Sequence, residues 1–384
     1  MNTPNAGLLL SSTASPALRD QVRAAGWPLS DGTGLWWRVP TQTAVRLANQ
    51  PGVQGVWGLP ELTAPPDDAD LQPTTPDLTP DAEWRQELQV SSLADWPGGT
   101  GIGVVVADVE YDWNPLHEDL VNNPAAAVVG IPARRFAYHG NACVGLIGAA
   151  DDGFGTTGGA PEAEIVIAPP LFDDRPYDVA EAIFQVTDLL SPGDVILIEQ
   201  QTRTTLGLSP VSSEPAAAEA IRRAVARGII VVEPTGNGGV DLDDPSFQGW
   251  FSNEGATGSL MVAGASPTGD AGERTNTGRR VDLWARGQDT IAPDDGTVLP
   301  HIFWPNNDEL QAYTQAFGGS SGASAQVAGL VAALQGVALE STGEPLTPLR
   351  LATLLKATGE PSLNGAAIGV RPKAERVIRT YLLP

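Results

Sequence analysis

The chain has 384 residues, 46 acidic against 22 basic side chains, and a formal charge of −24. Affinity for phosphate backbones and anionic lipid comes from clustered Lys and Arg. Lys occurs only at Lys356 and Lys373 and the arginines are scattered, so neither nucleic acid nor a membrane surface is an expected partner.

An apolar fraction of 42% over this length supports one large core and a smaller one without covalent staples. The single Cys143 forbids an internal disulfide. The opening MNTPNAGLLLSSTASP has no basic region, its apolar run Leu8–Leu10 is too short for an export signal, and no stretch is expected to span a membrane. The expected location is the cytoplasm, although an acidic chain without paired cysteines could also leave by a route the sequence does not display.

In chain order, residues 1–60 read as a small α+β unit with a helix over Pro16–Ala25, a strand over Leu35–Val39 and a helix over Thr41–Ala48. Residues 61–80 hold five prolines, five acids and no basic residue, the composition of an extended, self-repelling linker or of a solvated surface loop inside one domain. Residues 81–384 form the large unit. Its short continuous apolar runs, Gly103–Ala107, Glu164–Ala168, Asp194–Ile198, Ile229–Glu233 and Ser259–Gly264, are those of strands buried on both faces.

Between these runs lie helical stretches at His139–Ala150, Asp178–Leu190 and Glu214–Arg227, the last with Ser213 as candidate N-cap and Gly228 as its stop. Alternating strands and helices predict an α/β fold, a doubly wound and mainly parallel sheet with helices on both faces. Ligands and chemistry then belong at the carboxyl ends of the strands.

Only three histidines, His117, His139 and His301, are available as a general base near neutral pH. His139 opens a run of small residues, HGNACVGLIGAA, in which Gly140 allows another segment to come close. The glycines of GGTGIG at 98–103 precede a strand instead of following one, which removes a dinucleotide site. Gly318, Ser320 and Gly322 fit a GxSxG nucleophile elbow, but that fold places its histidine after the serine, and no histidine follows His301. What remains in order is an acid, Asp108, then His139, then the serines at 320, 321 and 324, an order shared with subtilisin.

The segments GIGVVVADVEYDWNPLHEDL, HGNACVGLIGA with GGAPEAEIVIA, GIIVVEPTGNGG and FGGSSGASAQVAGLVAAL resemble, in family order, the aspartate, histidine, oxyanion-asparagine and serine segments of subtilisin-like serine proteases. The wording is similar to that of a bacterial subgroup, and the match runs over about residues 100–360. The resemblance implies Asp108 as the acid that orients the base, His139 as the base, Ser321 as the nucleophile and Asn237 as the oxyanion donor. Counting back from Val327-Ala328-Gly329 selects Ser321 over Ser320.

The chemistry asks for the same residue types. A serine hydroxyl needs a base, an imidazole needs a carboxylate to fix its tautomer, and a helix N-terminus presents N–H groups to a developing oxyanion. The family's second histidine is Ala142 here, and its GTSMAxP becomes Gly319-Ser320-Ser321-Gly322-Ala323-Ser324-Ala325.

By the same resemblance Glu199, Glu233 and Gly236 belong to segments lining the substrate pocket, where two carboxylates would favour a basic residue before the scissile bond. Otherwise these acids pair with Arg203 or with each other and never meet substrate. Glu110 is a third acid at a strand end. Cys143 is expected to be a small core residue. No cofactor is expected to be required, although Asp241-Leu242-Asp243-Asp244 could ligate calcium as well as form a solvated acidic turn.

Residues 1–60, ending in LANQPGVQGVWGLPEL, resemble the inhibitor-like propeptide of the family. This implies an intramolecular inhibitor, with protein or peptide substrates as the other partners. The expected activity is a serine endopeptidase, and the rival is a catalytically silent protein of the same fold whose N-terminal domain stays in the cleft.

Overall fold

The structure, a computed structural model, describes residues 6–28, 33–58, 75–121, 126–173, 177–253 and 256–382. Most of the acidic, proline-rich stretch at 61–80 therefore lies outside the described residues. The chain divides into two units, 1–72 and 73–384.

In the first unit, β1 (Ala6–Leu10), β2 (Trp27–Pro28), β3 (Trp36–Val39) and β4 (Val53–Gly58) form an antiparallel sheet of order β2-β3-β1-β4, with helices α1 (Pro16–Ala25) and α2 (Thr41–Leu47). The α1 helix starts where expected because the Ser15 hydroxyl accepts the Leu18 N–H at 3.2 Å and Pro16 occupies the first turn. Alternate strand residues Leu8, Leu10, Trp37 and Val39 share one core with Leu18, Val22, Ala44 and Leu47.

The second unit begins with α3 (Trp84–Glu87), whose Glu87 holds the buried Arg286 guanidinium at 2.5 Å. Its main sheet has nine strands in the order β17-β18-β13-β12-β11-β8-β5-β7-β6. These are β5 (Val105–Val109), β6 (Ala126–Ala127), β7 (Glu164–Ile167), β8 (Val195–Ile198), β11 (Ile230–Pro234), β12 (Leu260–Ala265), β13 (Leu283–Arg286), β17 (Glu360–Pro361) and β18 (Val370–Arg371). Every neighbouring pair is parallel except β17 with β18. The hairpin β9 (Gln201–Arg203) with β10 (Leu208–Pro210), and the sheet of β14 (Thr290–Pro293), β15 (His301–Phe303) and β16 (Tyr313–Phe317), complete the strands.

The helices are α4 (Ala137–Gly148), α5 (Val179–Thr187), α6 (Pro215–Ala226), α7 (Gly319–Thr342), α8 (Pro348–Thr358) and α9 (Ala374–Leu382). The expected α/β architecture is thus present, with helices on both faces of a mainly parallel sheet.

The sheet separates two cores by strand parity. Val106 of β5, Val195 and Leu197 of β8, and Ile230 and Val232 of β11 face α4 and α7. Ala107 and Val109, Ile196 and Ile198, and Val231 face α5 and α6.

Two local expectations change. The first strand lies two residues later than the apolar run suggests, because Gly103 turns at φ +80°, and this puts Asp108 inside β5. The α6 cap is Glu214, whose carboxylate accepts the Ala216 and Ala217 N–H groups at 3.0 and 2.7 Å, while the Ser213 hydroxyl donates to Pro210 O at 2.7 Å.

The expectation that no stretch could span a membrane also needs correction. The α7 helix is long and apolar enough to cross a bilayer, but 94% of its apolar window is buried inside the protein, where it is the central core helix.

Candidate active site

The carboxyl ends of β5 and β8 carry a cluster of acids. In their register Asp108 lies opposite Leu197 and Val109 opposite Ile198, so Glu110 comes next to Glu199. Asp108, Glu110 and Glu199 continue the rows of Val106, Val195 and Leu197, and all three point toward α4 and α7. Three carboxyl groups are thereby buried against the layer that holds His139 and Ser321, with Asp108 and Glu110 at 0% exposure and Glu199 at 5%.

Glu110, not Asp108, is the partner of His139. Its Oε2 hydrogen bonds to His139 Nδ1, and its Oε1 accepts the Tyr111 N–H at 2.6 Å. Neither oxygen of Asp108 has a hydrogen-bond partner. The expectation that Asp108 orients the imidazole is corrected by reach: both residues lie on one face of the strand, and the longer glutamate arrives where α4 passes over the 110–112 segment. Gly140 makes that approach possible, since a Cβ there would lie 1.8 Å from Asp112 O. Asn141 fixes the next turn, accepting the Asn114 N–H at 2.6 Å and donating to Asp294 O at 3.0 Å.

Burial pulls the His139 imidazolium toward losing its proton, but the charge and hydrogen bond of Glu110 outweigh that, and the net shift is upward. With Nδ1 bonded to Glu110, Nε2 is the nitrogen left for a substrate-side proton. Phe317 packs edge-on against the ring at 5.3 Å.

The serines divide their duties at the start of α7. Ser320 is buried, and both its N–H (2.9 Å) and its hydroxyl (3.2 Å) meet Asn237 Oδ1. Ser321 lines an open cavity with His139, Asn237, Glu199, Gln200 and Pro234, and Ser320 also borders it. Since Oδ1 of Asn237 is taken by Ser320, its amide NH₂ is the group left to donate. Gly319 turns at φ +69°, and a Cβ there would stand 2.9 Å from Asn237 Oδ1, so the turn into α7 requires glycine.

Two further residues hold the asparagine. Gln201 Oε1 accepts the Asn237 N–H at 3.0 Å. Asn276 staples the loop, donating to Thr235 O (2.6 Å) and Leu208 O (2.7 Å) and accepting from Gly238 N (3.1 Å) and Val240 N (2.7 Å). No motif marks Asn276 in the sequence, because its partners are backbone atoms of distant segments.

The predicted pocket residues separate. Glu199 lines the cavity, and neither of its oxygens has a hydrogen-bond partner. The Ser321 hydroxyl faces the Glu199 carboxyl and favours its charged form. Burial first, then Asp108 and Glu110, push the Glu199 carboxyl well above the usual range, and burial with Glu110 does the same to Asp108.

Glu233 does not belong with Glu199. It has the parity of Val231, faces the α6 side, and accepts from Ser212 N and Ser259 Oγ, each at 2.9 Å. Pro234, one residue on, reaches the cavity in its place. Gly236 turns at φ +88° and shapes the loop before Asn237, with a Cβ there only 2.9 Å from the Asn276 amide nitrogen. Arg203 sits on the exposed edge of β9.

The other histidines have different partners. His117 is buried, accepts the Asp119 N–H at Nδ1 (3.2 Å), reaches Ala312 O through Nε2 (3.0 Å), and has its pKa lowered to about 4 by burial. His301 stacks on Trp304 beside Asp294. Cys143 is buried 3.6 Å from His139 Nδ1, and burial together with the carboxyl groups, Glu199 foremost, keeps it a protonated thiol.

Glu110, His139 and Cys143 bring three metal-capable donor atoms within 4.8 Å of one another, but His139 and Glu110 already bond to each other. In the acidic turn, Asp243 binds the Arg279 side chain at 3.2 Å, while Asp241 and Asp244 accept from backbone N–H groups of their own turns.

A buried acid–imidazole pair beside a serine at a helix N-terminus, with an asparagine donor across the cavity, is the constellation of a hydrolytic serine enzyme. The family model described as the subtilase family matches residues 99–368. This chain belongs to the subtilase family.

An "Intracellular serine protease" of Paenibacillus polymyxa is 26% identical over 334 residues, which cover 77% of this subtilase and 91% of the relative. Among solved structures, a protease of Pseudoalteromonas arctica superposes with a TM-score of 0.58 at 20% identity, covering 80% of this chain and 99% of that one. The prenylagaramide maturation protease PagA gives a TM-score of 0.55 at 18% identity, with coverage of 76% and 97%. These two likenesses bear on the fold. As a subtilisin-like serine protease, the chain acts on protein or peptide substrates.

Proposed function

We propose that this subtilase is an endopeptidase working through an acyl-enzyme on Ser321, with His139 as general base, Glu110 as the acid that orients it, and Asn237 as an oxyanion donor. The observation that carries the reading is the Glu110–His139 hydrogen bond beside a cavity shared by His139, Ser321 and Asn237. His139 Nε2 takes the Ser321 proton as Oγ attacks the carbonyl carbon, and Glu110 stabilises the imidazolium that forms. The carbonyl oxygen, now negative, is met by the Asn237 amide and by the Ser321 N–H at the positive end of α7. His139 then gives its proton to the leaving amine, and water, deprotonated by the same base, releases the acyl group.

Glu199 supports a preference for Arg or Lys before the scissile bond, because it offers to the cavity a carboxyl that has no cationic partner among the described residues. Residues 1–60 act in this reading as an intramolecular inhibitor, and the site of action is the cytoplasm, in keeping with the name of the Paenibacillus relative.

A fluorophosphonate probe tests the reading directly. Wild-type protein should be labelled, Ser321→Ala should not, and Ser320→Ala should keep the site. Labelling lost in Ser320→Ala but kept in Ser321→Ala would move the nucleophile by one residue. Failure of both the full chain and the protein cut between residues 60 and 100 to react would favour a non-catalytic binding role.

A further inference from the structure

The cleft holds more carboxyl groups than peptide hydrolysis needs. Glu110 has a donor for each oxygen, Tyr111 N–H and His139 Nδ1. Among the described residues Asp108 has none for either oxygen, and Glu199 has no backbone or cationic partner and only the Ser321 hydroxyl facing it, although Asp108 is fully buried and Glu199 is 5% exposed.

The groups facing them come from every packed element. Asp108 and Glu110 are on β5, Glu199 follows β8, the His139 ring and the Cys143 thiol come from α4, and the Ser321 hydroxyl comes from α7. Among these described groups the imidazole is the one able to be cationic, and Glu110 already holds it. Asp108 and Glu199 are diagonal neighbours on the same face of β5 and β8, Asp108 standing opposite Leu197, and two carboxylates buried there suffer both desolvation and mutual repulsion, so the favoured form keeps a proton on the pair. The upward shift of both carboxyls agrees with this. Glu199 alone of the two opens onto the substrate cavity.

We propose that Asp108 and Glu199 share one proton beneath the cleft, and that a cationic substrate side chain binds Glu199 by driving that proton into solvent. The inference rests on the protease reading above and deepens it, making Glu199 the specificity residue and Asp108 the group that sets when it is available. The balance is simple: the resting pair carries one negative charge and one proton, and the complex carries two carboxylates facing one guanidinium or ammonium, with one proton released. Binding of a basic side chain therefore strengthens as pH rises, by at most roughly tenfold per pH unit, until the pair is ionised without help. A neutral side chain of the same shape displaces no proton.

The test uses the full-length protein and two peptide p-nitroanilides that differ only in arginine or citrulline before the scissile bond. The ratio of their kcat/KM values, followed from about pH 5 to about pH 9, cancels the His139 titration common to both. The expected ratio favours arginine, climbs with pH and then levels. Glu199→Gln should give a low, flat ratio, and Asp108→Asn should shift the climb to lower pH by removing the like charge.

Calorimetry of the arginine peptide with Ser321→Ala, in buffers of different ionisation enthalpy, should show about one proton released within the climbing range. A flat wild-type ratio, a preference for citrulline, or binding without proton release overturns the pair while leaving a labelled, active protease intact. Absence of fluorophosphonate labelling overturns the protease reading instead, and the calorimetric arm still reports on the pair.

Discussion

Glu199 and Glu233 are both buried glutamates at the carboxyl ends of neighbouring parallel strands, and they do opposite things. Glu233 finds the Ser212 N–H and the Ser259 hydroxyl at 2.9 Å each, with Arg280 contributing positive charge nearby. Among the described residues Glu199 finds no backbone donor and no cation, only the Ser321 hydroxyl of the cavity it faces with His139. Strand parity separates them, since β8 and β11 alternate between the α7 side and the α6 side of the sheet. A buried carboxyl held by donors of the scaffold supports the fold, whereas one met only by a hydroxyl of the cavity is free for a ligand.

The sharpest tests of that contrast lie at the acid proposed to orient His139. Glu110→Gln should lower kcat by about 10⁴-fold, the scale seen when a triad acid becomes an amide. Asp108→Asn should cost far less, and equal losses would return Asp108 to the role of orienting acid. The same pair fixes a pH effect. His139 must be neutral to act as a base, and since Glu110 raises its pKa, the acid limb of kcat/KM should lie above about 6.5 in wild type and move to lower pH in any residual Glu110→Gln activity.

Next in size, Asn237→Ala should reduce turnover about 100- to 1000-fold, the range found when a subtilisin loses an oxyanion donor of this kind. The smallest effect separates the two glutamates. Glu233→Gln should destabilise the protein by about 1–3 kcal/mol in denaturant unfolding without changing the arginine to citrulline ratio, while Glu199→Gln should change the ratio and leave stability equal or higher. A Glu233→Gln change in selectivity would break the comparison.

The same parity explains what the sequence could and could not reveal. Strands and helices of the large unit are legible because runs such as Val195–Ile198 are apolar at every position and are bounded by turn residues. That legibility hides orientation: a strand buried on both faces shows no alternation, so nothing in IIVVEP announces that Glu233 and Pro234 face different layers. Asp108 and Glu110, two residues apart, visibly share a face, but which of them reaches His139 depends on how closely α4 crosses the 110–112 segment at Gly140. Asn276 and Gln201 act through backbone atoms, a role that any polar residue of suitable length could fill on paper. The serine segment is legible in composition, and the difference between Ser320, buried and bonded to Asn237, and the more exposed Ser321 follows from the turn at Gly319.

The proposed nucleophile rides on the first turn of α7, a helix whose side chains are buried from Gly322 through Ala338 between β8, β11, β12, β13 and α4. Fraying cannot release Ser321 while that core persists, because the start of the helix is also clamped by Asn237 and by the Gly319 N–H bond to Gly287 O at 2.7 Å. The amides of α7 should therefore be among the last to exchange with solvent deuterium, and loss of serine labelling during denaturation should follow opening of the whole large unit. Reactivity toward the probe would then double as a clock for global unfolding.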